Sequence, residues 1–120
     1  MTLLHDAIVA GQPGTHVLAI GVGNYPHLLD GAKPLANKPL GLKQLQSPPV
    51  SLKAVLDWFL APVLAPGGGG FINASAPLAS IEALASAAAI VTINTPAGAA
   101  ALDAATRQNI QDAFEAWLAE

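Results

Sequence analysis

Seven consecutive residues, His16 to Val22, read HVLAIGV and carry no charged side chain. Val17, Leu18, Ile20 and Val22 make the run apolar on both parities, and it is too short for a helix. That is the pattern of a strand covered on both faces, as in a parallel sheet. A parallel neighbour cannot be reached through a tight turn and needs a crossover, usually a helix. The run therefore commits the chain to an α/β arrangement.

The crossover is legible further on, in SLKAVLDWFLAPVL. Leu52, Val55, Leu56, Phe59 and Leu60 recur at helical spacing, while Lys53 and Asp57 lie off that stripe at i,i+4. Ser51 follows Pro48 and Pro49 and is placed as an N-cap, and Pro62 is expected to stop the helix. Residues 1–14 read as a lead-in closing at the turn signal GQPG. Between Asn24 and Pro49 the density of Pro and Gly (Pro26, Gly31, Pro34, Pro39, Gly41, Pro48, Pro49) predicts an extended loop.

After the helix, APGGGGF reads as a flexible hinge, since no Lys followed by Ser or Thr completes a phosphate loop. PLASIEALAS, with Ser80 near its start and Ile81, Leu84 and Ala85 at helical spacing, predicts a short helix. AAIVTIN suits a strand, and TPAG a turn. Asp103 or Thr106 is positioned to cap a last helix whose stripe is Ile110, Ala113, Phe114, Trp117 and Leu118. The expectation is a doubly wound, mainly parallel sheet with flanking helices. With about two strands it is too small to stand alone.

Composition narrows the function classes. A chain of 120 residues is one domain or part of one, and 52% apolar with 11% charged residues supports a core, thinned by the many alanines. The net charge is −3 and the five basic residues, Lys33, Lys38, Lys43, Lys53 and Arg107, are scattered, so no nucleic-acid partner is expected. There is no cysteine, which excludes a disulfide, a thiolate metal site and a thiol nucleophile from this chain. The amino terminus lacks a basic signal region, and no run approaches the ~20 apolar residues of a membrane span. A cytoplasmic location without a membrane partner is the expectation.

The chemistry-bearing residues are few. GVGNYP places Gly21 and Gly23 as in a dinucleotide fingerprint, but Pro26 takes the third glycine's place and no helix start follows. His5, His16 and His27 have no further ligand at metal spacing, so neither a metal nor a cofactor is expected. His16 opens the strand and is read as structural. His27 lies in the loop after the strand's carboxyl end, where α/β sheets bind ligands, but the nearest serines, Ser47 and Ser51, sit in no nucleophile elbow.

Taken in order, THVLAIGVGNYPHL, GLKQLQSPPVSLKAVLDWFL, PLASIEAL and ATRQNIQDAFEAWL resemble the opening of bacterial caspase-like proteases, the peptidase family that includes the metacaspases. The resemblance runs from about Thr15 onward, so residues 15–120 are expected to form a partial caspase-like domain. The family cleaves peptide bonds with a His–Cys dyad, the His in a Gly-flanked GHG setting. This chain has neither that motif nor a cysteine, so no catalytic residue carries over. The resemblance leaves Asn24, Tyr25 and His27 as candidates for the wall of a substrate cleft. It implies a truncated or split peptidase portion, inactive alone, that associates with itself or with a polypeptide supplying the missing strands. The alternative is a non-catalytic interaction module that binds a protease or its substrate.

Overall fold

The computed structural model describes residues 2–25, 44–87 and 89–119. Over these residues it is an α/β fold, with five strands in two small sheets and two helices. The elements run β1 (Thr2–Asp6), β2 (Thr15–Val22), α1 (Ser47–Leu64), β3 (Leu78–Ser86), β4 (Thr92–Thr95), β5 (Gly98–Ala101) and α2 (Arg107–Leu118).

The larger sheet has the order β1-β3-β2. Strand β2 pairs with β3 in parallel, Val17 beside Ile81 and Ala19 beside Ala83, with α1 as the crossover between them. The expected strand–helix–strand unit is therefore present. Its second strand, however, is LASIEALAS, the segment expected to be a short helix. The correction has a physical cause. Ile81, Ala83 and Ala85 alternate with Ser80, Glu82 and Leu84, and all six are buried. The odd set packs with Leu52, Leu56 and Leu60 of α1, and the even set faces the opposite side, which α2 covers. A strand enclosed on both faces exposes no backbone, and that outweighs the helix preference of Ala, Leu and Glu.

Residues expected as a lead-in contain β1, antiparallel to β3, so the sheet is mixed rather than mainly parallel. Its Leu4 enters the same core, as do Ile93 and Leu102 from the region of the hairpin. AAIVTIN does contain a strand, β4, but it pairs only with β5 across the Pro96–Ala97 turn of TPAG. Asp103 does not cap α2. It bridges Leu84 in parallel, and its N–H donates to Thr2 Oγ1 at 2.7 Å. Thr106 is the cap, its Oγ1 accepting from the Asn109 N–H at 3.1 Å.

Helix α1 begins at Ser47, four residues before the expected cap, with Pro48 and Pro49 in its first turn, where a missing N–H costs nothing. It also continues through Pro62 to Leu64. Pro62 cannot donate to the carbonyl of Trp58, and the N–H of Phe71 takes that place at 3.2 Å. The glycine run thus closes the helix. Gly70, at φ +109°, turns the chain back so that Phe71 meets Trp58 and Phe59, with ring centroids 5.7 and 5.0 Å away.

Candidate functional site

The parallel pair β2 and β3 ends on one side of the sheet, and the residues that follow β2 are assembled there by backbone bonds. The N–H groups of Gly23 and Asn24 both donate to the Ser86 carbonyl, at 2.7 and 3.0 Å. The Leu45 N–H donates to the Gly23 carbonyl at 2.8 Å. A Cβ on Gly23 would lie 2.1 Å from the Leu45 oxygen, so close backbone approach dictates glycine there, not a left-handed turn.

Tyr25 is held by Gln44. The Tyr25 N–H donates to Gln44 Oε1, and Gln44 Nε2 returns a bond to the Tyr25 carbonyl at 2.7 Å. The Tyr25 hydroxyl donates to the Val22 carbonyl at 3.2 Å. Sequence reasoning named Tyr25 but missed Gln44, which lies nineteen positions away behind a Pro-rich stretch with no periodicity to mark it. His27 lies outside the described residues.

Beside this clamp is an open groove of about 580 Å³ between the start of α1 and the segment after β3. Gln44, Val50, Lys53, Ile90, Val91 and Thr92 are among its walls, which are mainly apolar. Neither Asn24 nor Tyr25 lines it; Tyr25 reaches it through Gln44. Lys53 is the one charged residue among the described walls, and its Nζ bonds Asp57 Oδ2 at 3.1 Å and the Thr92 carbonyl at 3.4 Å. The groove offers apolar area and amide groups. It has no thiol, and no histidine or carboxylate among its described walls, so it can hold a segment of chain but presents no nucleophile paired with a base.

One serine–histidine contact occurs elsewhere. His16 Nδ1 lies 2.8 Å from Ser80 Oγ, across the register of β2 and β3. Ser80 is fully buried beneath α2, so no substrate reaches its hydroxyl. The pair ties β2 to β3, and the bond from Trp117 Nε1 to the His16 carbonyl, at 3.0 Å, fastens α2 to the sheet. Next along β3 is Glu82, also buried, beside Leu3 and Leu18 in the register. Its place in the sheet was hidden by the helical reading of that segment.

Among the described residues no three His, Asp or Glu side chains come together as metal ligands, and no helix is long and apolar enough to cross a membrane. No family model, no curated protein and no solved structure matches this chain.

Proposed function

We propose that this chain is the N-terminal portion of a caspase-like cysteine peptidase domain, inactive by itself and completed by a polypeptide that supplies the strands bearing the His and the Cys. The observation that carries the reading is the position of β2. Its run carries none of the lysine or proline that usually protects an edge, yet among the described residues it is an edge of the β1-β3-β2 sheet. An unprotected edge of this kind supports a sheet that further strands complete. The absence of cysteine supports the second half of the proposal, because thiolate attack on a peptide carbonyl needs a sulfur that this chain does not hold.

Asn24 and Tyr25 follow the carboxyl end of β2, where open α/β sheets bind ligands, and with His27 they would border the cleft of the completed domain. The apolar groove beside Gln44 favours a second reading, a non-catalytic module that keeps this surface to bind a protease or its substrate.

Reading the DNA adjoining the codon for Glu120 in all frames, then co-purifying this chain with any product that carries a GHG histidine and a cysteine, tests the proposal. The pair is expected to cleave fluorogenic peptides and to lose activity when the companion's cysteine becomes alanine. The chain alone is expected to stay at background. Turnover by the chain alone that survives thiol alkylation would overturn the reading.

A further inference from the structure

Among the described residues, the edge of β2 away from β3 has a definite length. The ladder to β3 uses alternate residues: the Thr15 N–H donates to the Pro77 carbonyl and the Gly23 N–H to the Ser86 carbonyl, so odd-numbered residues of β2 face β3. The N–H and C=O groups of His16, Leu18, Ile20 and Val22 therefore point to the open side. Two of those carbonyls are taken by side chains of this chain, His16 by Trp117 Nε1 at 3.0 Å and Val22 by the Tyr25 hydroxyl at 3.2 Å. What remains between the two caps is both backbone groups of Leu18 and of Ile20, with the N–H of Val22 beside the second cap. No described residue bonds to them.

This window is symmetric about Ala19, each cap lying three residues from it. We infer that the window is filled by the same window of a second copy, the two β2 strands running antiparallel about a two-fold axis at Ala19. In that register Leu18 of each copy faces Ile20 of the other as a hydrogen-bonded pair. Each such pair exchanges both N–H···O bonds, so the open groups of Leu18 and Ile20 are satisfied, and the Val22 N–H of each copy faces the His16 carbonyl of the other, to which Trp117 also donates. Ala19 meets Ala19 at the axis, the close-approaching type of pair, where a small side chain is needed. Val17 of each copy lies across from Gly21 of the other.

The surroundings suit this occupant. A groove of about 360 Å³ runs along the edge under α1, lined by Ala19, Ile20, Gly21, Ser51, Leu52 and Val55 with Pro48, and none of these residues is charged. Two copies of a chain of net charge −3 therefore meet without opposing like charges at the seam. Strand β2 also lacks the usual protections of an edge, since Lys, Pro and inward charges are absent from it. Ile20 and Val55, 38% and 47% exposed, are covered on association.

This inference does not rest on the peptidase reading: both give the β2 edge an occupant, and the second copy takes it when no companion polypeptide is present. Because the chain has no cysteine, single cysteines report the register without background. Ala19→Cys is expected to form a covalent dimer under mild oxidation, the Cα atoms of such a pair being about 4.5 Å apart. Leu18→Cys and Ile20→Cys are each expected to stay monomeric on non-reducing gels but to cross-link when mixed. Sedimentation of the unaltered chain should show a concentration-dependent dimer. Ile20→Lys, which keeps the strand but buries an ammonium at the seam, should weaken the dimer about tenfold or more. Circular dichroism checks that each variant keeps its fold. A monomer at all concentrations, a dimer indifferent to Ile20→Lys, or cross-linking of Leu18→Cys alone in place of Ala19→Cys would each overturn the inference. A companion polypeptide that activates a chain found to be monomeric would leave the peptidase reading standing and this one refuted.

Discussion

The N–H of Phe71 donates to the carbonyl of Trp58 at 3.2 Å, the bond that a residue other than proline at position 62 would have made within the helix. A proline inside α1 is tolerated because the chain returns, through four glycines, to satisfy the carbonyl it orphans.

That return depends on Gly70. At φ +109° a side chain is strained, and a Cβ would lie 2.7 Å from the Trp58 oxygen. Gly70→Ala is expected to lower stability by about 1–3 kcal/mol, read as a reduced midpoint in chemical denaturation. Gly69→Ala, where a Cβ meets nothing, is the control and should change little.

Gly23 is constrained by contact alone. With the Leu45 oxygen 2.1 Å and Pro49 2.9 Å from a Cβ, Gly23→Ala must push the start of α1 away from the end of β2. The expected loss is at least about 1–3 kcal/mol, with faster hydrogen exchange at the Leu45 and Asn24 amides.

Trp117 ties α2 to the edge of β2. Trp117→Phe keeps a ring and removes the N–H that bonds the His16 carbonyl, so a cost of about 0.5–1.5 kcal/mol is expected in thermal unfolding. A change indistinguishable from zero would mean that the ring's packing, not the bond, holds the helix.

Thr106 is the N-cap of α2. Thr106→Ala should cost about 1 kcal/mol, and Thr106→Ser should recover most of it, because serine also offers an oxygen to the Asn109 N–H. Helical ellipticity followed through urea denaturation checks both.

The legible parts of this fold are those whose signal is local. The β2 run, the α1 stripe apart from the exposed Val55, the Lys53–Asp57 pair at 3.1 Å, the TPAG turn and the Thr106 cap are where the residues place them. Of the candidate cleft residues, Asn24 and Tyr25 do follow the end of β2. The Gln44 clamp that orients Tyr25 was invisible because it joins residues across a long stretch without periodicity. The α2 stripe was only half informative. Ala113 is buried, whereas Phe114 and Leu118 stay 48% and 64% exposed, since spacing specifies a face and not what covers it.

Residue order alone was enough to decide that α1 and α2 wind and that HVLAIGV is extended, because side-chain period acts over a few neighbours, but not where α1 starts or ends. The state of LASIEALAS and the sheet order were settled by tertiary structure. Alanine, leucine and glutamate wind readily in isolation, but between two helices a strand hydrogen-bonded to β1 and β2 buries both sides at once. The same packing put β2 on the outer side of β3 among the described strands.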